Sequence, residues 1–156
     1  MKKTGYIFIF TGIIFIVLSF AMILYNYYND KKAEKGSKEI YNEIDKSISE
    51  NTKEVSEINI NGNKYIGILK IPKLSLELPI MSDCNYKNMK ISPCKYYGSM
   101  LTNDLVICAH AYKSLFGRLK ELSINDLVVF IDINNNYYVF TILYMGLCLE
   151  NINDSQ

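Results

Sequence analysis

The sequence predicts a mainly β domain, a barrel or sandwich, standing behind an N-terminal transmembrane helix and a helical or flexible stalk. Three observations predict it. An uncharged apolar run opens the chain, a Lys/Glu/Ser/Asn-rich segment follows, and the remainder alternates short apolar runs with Asn, Gly and Pro turn signals. At 156 residues the chain accommodates one modest domain plus accessories. Its net charge of +1 gives no reason to expect a nucleic-acid surface, so no nucleic-acid partner is assigned.

The run "YIFIFTGIIFIVLSFAMILY" extends from Tyr6 to Tyr25. At about 1.5 Å per residue it makes roughly 30 Å of helix, the thickness of a bilayer's hydrocarbon core. Tyr6 at one end and Tyr25, Tyr27 and Tyr28 at the other match interfacial aromatic belts. A signal peptide has a shorter core and a small-residue cleavage site, whereas Tyr25, Asn26 and Tyr27 follow this one. The expected division is therefore a tail at 1–5, an uncleaved signal anchor at 6–28, a polar stalk at 29–60 and the β domain at 61–156. Lys2 and Lys3 before the span are outnumbered by Lys31, Lys32, Lys35 and Lys38 after it, so the positive-inside rule does not place the N-terminus in the cytoplasm.

In the stalk, Ile40, Ile44 and Ile48 recur every fourth residue, which predicts a solvated, weakly amphipathic helix. Its expected role is to hold the domain off the membrane. Beyond the "NGN" at Asn61–Asn63, "KYIGILKI" stops at Pro72 and "LELPIM" carries Pro79, as strands do near an end or edge. "DLVICAH", 104–110, is a continuous apolar run and predicts a strand buried on both faces. "SLFGRLKEL" predicts a short helical turn weakened by Gly117. "DLVVFIDI", the Asn134–Asn136 turn and "YYVFTILYM" predict a long hairpin.

Cys84, Cys94, Cys108 and Cys148 contain no C-x-x-C pair, so a zinc ribbon is not indicated. The expectation is loop thiols at Cys84 and Cys94, and small buried hydrophobes at Cys108 and Cys148. His110 is the only histidine. Neighbours at i and i+2 on one strand project in parallel about 6.6 Å apart, a poor geometry for a thiolate–imidazole hydrogen bond between Cys108 and His110. Those two residues are also too few to make a metal centre, and no cofactor is expected.

"YIGILKIPKLSLELPIM", "MKISPCKYYGSMLTNDLVICAHAYKSLFGRLKEL" and "DLVVFIDINNNYYVFTI" together resemble the N-terminal and middle part of a sortase. The resemblance is to class B-like sortases of low-GC Gram-positive bacteria and covers about 64–144. It implies a cytoplasmic N-terminus, an extracytoplasmic domain at the cell membrane, and a sortase-type β-barrel. It further implies a cysteine transpeptidase that cleaves an LPxTG-like sorting signal of secreted surface proteins. The acyl group then passes to an amine nucleophile of the cell wall or a pilin. His110 falls on the family histidine, the general acid, with Ala111 where the family has asparagine.

No match to the family's "TL-TC" motif or to its following arginine is found, and Arg118 belongs to the "FGRL" motif. Cys148 falls on a strand before the nucleophile strand. The expectation is an incomplete barrel, truncated before the catalytic Cys and Arg, inactive alone and prone to aggregate at its open edges. The alternative expectation is a membrane-anchored, non-catalytic module that binds a sorting peptide or a partner.

Overall fold

The computed structural model describes the backbone of residues 2–50 and 55–144, and the side chains of 6–47 and 55–144. One unbroken helix, α1 (Lys2–Glu50), opens the chain. It is long and apolar enough to cross a membrane. Its large apolar side chains from Tyr6 to Tyr28 are exposed around the whole circumference, so none of the described residues covers them. An all-round apolar helix is stable only in an apolar surrounding.

The second half of α1 differs from the solvated spacer the isoleucine stripe suggested. Ala33, Ser37, Ile40 and Ile44 are all buried, and the helix lies against the β domain. Their spacing places them on one face over three turns. Ile40 and Ile44 form a core with Ile60, Tyr65, Ile68, Met81 and Cys94. Tyr41 adds a hydrogen bond from Lys70, Nζ to Oη at 3.1 Å. The segment is a structural layer of the domain because its stripe has a sheet to cover. The Ile48 side chain lies outside the described residues.

The sheet comprises β1 (Ile58–Ile60), β2 (Asn63–Ile71), β3 (Leu76–Met81), β4 (Cys94–Tyr97), β5 (Val106–Cys108), β6 (Leu127–Asp132) and β7 (Tyr137–Thr141). Hydrogen-bonded neighbours run β5-β4-β3-β2-β6-β7, and β1 also pairs with β2. The described strands form a curled half-barrel, mainly β as expected. β1 lies inside the span read as stalk. It turns into β2 through Asn61 and Gly62, both at positive φ, which gives the twist a two-residue hairpin needs.

Strand β2 is covered on both faces. Tyr65 and Ile68 point to the α1 side, whereas Leu69 and Ile71 join Leu74, Ile80, Leu122 and Phe130 on the other. A bulge between Tyr65 and Gly67 resets the alternation. Pro72 ends β2 and starts a single 3-10 turn, Pro72–Leu74. β6 and β7 make the expected hairpin. The Asp132 carboxylate accepts from the backbone N–H groups of Asn134 and Asn136, at 2.9 Å each.

One expectation changes. Among the described residues β5 is short and pairs only with β4, so Val106 is exposed; an apolar run there reflected one-sided packing at the edge of the described sheet. "CKYY" is a strand, β4, although nothing in its pattern alternates cleanly. It is placed by a parallel bridge from Met81 to Cys94 and an antiparallel ladder to β5. A parallel neighbour needs a crossover, and the segment between β3 and β4 supplies it with the one-turn helix α2 (Tyr86–Met89).

Candidate functional site around His110

Asn85, in an extended conformation, starts α2: its side-chain Oδ1 accepts the N–H of Asn88 at 2.9 Å. α2 ends beside the residue that follows β5. The Met89 carbonyl accepts the His110 backbone N–H at 3.0 Å, which fixes the backbone of His110 just beyond the strand. The imidazole stacks on Tyr112, ring centroids 4.3 Å apart, and meets the edge of Tyr86 at 6.1 Å. Two aromatic contacts on different elements leave the ring little rotational freedom.

His110 Nδ1 is buried and has no hydrogen-bond partner among the described residues. A buried, unpaired ring nitrogen costs about 1–3 kcal/mol, so it is a place where a further group would be stabilising.

Tyr112 is itself held. Its carbonyl accepts from the N–H groups of Leu115 (3.0 Å) and Gly117 (2.8 Å), curling 112–117 into a turn. A Cβ on Gly117 would lie 2.6 Å from the Ala111 carbonyl oxygen and 2.8 Å from that of Tyr112. This glycine is therefore needed to close the turn behind the histidine. Leu115, fully buried, plugs the turn against Ala33 of α1 and Leu78 of β3.

Ser114 joins the same turn to α1. Its backbone N–H donates to Asp30 Oδ1 at 2.9 Å, and its hydroxyl lies 2.6 Å from Oδ1 and 3.1 Å from the Asp30 carbonyl. The helix that reads as an anchor thus grips the loop that carries the histidine's stacking partner.

The cysteines are elsewhere in function. Cys108 packs into the core beneath α1, with its Sγ 2.8 Å from that of Cys84. Cys94, directly opposite Cys108 across the β4–β5 ladder, is fully buried and bonds to the Ser92 carbonyl. Burial pushes the Cys94 and Cys108 thiols up to about 12, so both are protonated near neutrality, the reverse of an activated nucleophile. Loop thiols were expected at Cys84 and Cys94. Instead Cys94 belongs to a strand and Cys84 is partly buried against Cys108. Cys148 lies outside the described residues.

Arg118 is engaged by Glu121 (Nε to Oε1 3.1 Å, Nη2 to Oε2 3.0 Å) and by the Leu74 carbonyl (3.1 Å), bracing the loop beyond the histidine turn. Among the described residues no three metal-ligating side chains converge. Sequence reasoning singled out His110 as a candidate and did not reach Tyr86, Tyr112 and the Asp30–Ser114 clasp around it. Only the two-residue spacing of Tyr112 from His110 offered any signal.

A family model described as the Sortase domain matches residues 69–147. Among solved structures, the chain is similar to sortase C1 of GBS pilus island 1, at 18% identity over 49% of this chain and 41% of that one, TM-score 0.43. It is similar to sortase C of Streptococcus pneumoniae at 18% identity, over 61% and 53% of the two chains, TM-score 0.44. A lid mutant of sortase A from Corynebacterium diphtheriae gives 14% identity over 67% and 70%, TM-score 0.44. The chain spans about half the length of the first two, 41% and 53%. No curated protein matches.

Proposed function

The chain belongs to the sortase family, and on that footing we propose that it carries the histidine portion of a cysteine transpeptidase site at the outer face of a cell membrane. A thiolate attacks the threonyl carbonyl of an LPxTG-like sorting signal. His110 gives a proton to the departing amine, and the thioacyl group passes to an amine of the cell wall or a pilin. Acid catalysis of this kind needs an imidazole held in one orientation within reach of the leaving group.

The observation that carries the reading is the setting of His110. It follows a sheet-edge strand, its ring lies between Tyr86 and Tyr112, and its buried Nδ1 lacks a partner among the described residues. The thiolate and the guanidinium come from outside the described residues. Cys94 and Cys108 are held protonated in the core, and Arg118 is engaged by Glu121 and Leu74. By the resemblance, Cys148 stands before the nucleophile position. The described part of the chain does not turn over by itself, and α1 anchors the domain with its N-terminus in the cytoplasm.

The test is the nucleotide sequence after the Gln156 codon. A "TL-TC" motif and a downstream arginine, in any frame, are the expected result. In the polypeptide so encoded, His110→Ala should lower peptide cleavage by about 10²–10⁴-fold. Absence of both motifs, with sorting-peptide binding but no thioacyl adduct by mass spectrometry, would overturn the catalytic reading in favour of a binding module.

A further inference from the structure

Between α1 and the β3–β4 crossover lies a cleft of about 680 Å³ that none of the chemistry above uses. Lys32 and Lys35 line it from α1, and Lys87 and Lys90 from α2 and its C-cap. Among the described residues Glu39 is the only acidic one on its wall, at 3.9 Å from Lys35, so the lining carries a clear positive excess. The floor is apolar, with buried Ala33 beside Ile91 and Tyr112. Lys90 Nζ sits 4.3 Å above the Tyr86 ring, which steers its charge along the rim.

The height of the cleft along α1 selects its ligand. Its rim begins at Tyr25, the last residue of the apolar run. At 1.5 Å per residue Lys32 stands about 6 Å beyond Tyr28, the end of the anchor, at the level of the headgroups that flank a bilayer's hydrocarbon core. A phosphate there meets the lysines while glycerol and chain carbons lie along the apolar floor toward Tyr25. We propose that this cleft binds the headgroup of an anionic glycerophospholipid of the surrounding bilayer. The site rests on the reading of α1 as a membrane anchor. Tyr86 and Tyr112 line the cleft and also contact His110, so a bound headgroup lies one residue from the imidazole.

The experiment uses the full chain in nanodiscs of phosphatidylcholine, with and without phosphatidylglycerol. Amine labelling is read at each lysine by mass spectrometry. In the anionic discs, labelling of Lys32, Lys35, Lys87 and Lys90 should fall by about threefold or more and recover at high salt, while Lys64, Lys73 and Lys120 change little. The double variant Lys87→Gln/Lys90→Gln should lose the protection of Lys32 and Lys35. Equal labelling of the four in both lipids overturns the site. Equal protection by inorganic phosphate in phosphatidylcholine discs overturns its assignment to lipid. Alkaline extraction separates the premises: a chain that washes off vesicles overturns the anchor and this site together, whereas one that stays leaves the labelling to decide the site alone.

Discussion

The rings of His110 and Tyr112 stack 4.3 Å apart, their planes inclined by 26°. Tyr112 therefore shields the imidazole as well as positioning it. His110 is the only histidine, so its ring protons give one unambiguous set of NMR signals. Tyr112→Ala should move them downfield as the ring current is lost, whereas Tyr112→Phe, which keeps the stack, should leave them nearly in place. Unchanged signals in the alanine variant would show that the stack does not persist in solution.

Ser114 and Asp30 connect the histidine turn to α1 through three contacts to one aspartate. Hydrogen bonds to a charged group contribute about 1.5–3 kcal/mol, so Ser114→Ala should lower unfolding free energy by an amount near the lower end, because the backbone bond remains. Denaturant unfolding of the chain in detergent micelles measures the loss. The same variant should broaden the His110 signals as the turn loosens.

Ile44 is fully buried where α1 covers the sheet. Ile44→Ala should cost about 2–5 kcal/mol by leaving a cavity. Asn42→Ala, two positions away on the exposed face, should stay within about 0.5 kcal/mol. Equal effects would mean that the helix is a spacer after all.

Gly67 sits on β2 where β6 crosses closely. A Cβ there would lie 2.2 Å from the Ile131 carbonyl oxygen and 3.0 Å from Asp132 Cα, both backbone atoms that cannot swing aside. Gly67→Ala should therefore destabilise the domain by about 3 kcal/mol or more, read as a lowered urea midpoint, because the β2–β6 ladder must separate to admit it.

Tyr65, Cys94 and Cys108 share the core beneath α1. Burial, the largest cause for each, pushes all three up to about 12, from 10.0 for the phenol and 9.0 for the thiols. A raised folded-state pKa means that the unfolded chain releases these protons first. The stability is then fully present below about pH 9 and lost as pH rises toward 12. Melting temperature should fall steeply across that window, and Cys94 should resist alkylation at pH 8 unless denaturant is present. A flat profile would show that these groups are solvated.

Some of this was legible because it is written locally. The apolar run declares a membrane-compatible helix through its length alone, and "NGN" and the three asparagines supply the turn conformations for two hairpins. His110 stood out as the sole imidazole at the end of an apolar run. The role of α1 beyond the span was not legible. Ala33 and Ser37 look like surface residues until a sheet is placed beneath them, so only the isoleucines signalled a face, and too narrow a one.

The sequence by itself determined the classes of element and the residue that draws attention: a membrane-compatible helix, short strands, one histidine. Tertiary structure decided what surrounds that histidine. Met89 and Tyr86 reach it from a crossover, Asp30 holds Ser114 of the following turn from a helix 84 positions earlier, and Cys94 becomes core by pairing with Met81 and Cys108. Periodicity and turn chemistry act over a few neighbours and can be read along a chain. A ring contact or a buried thiol depends on which distant segments the sheet order brings together.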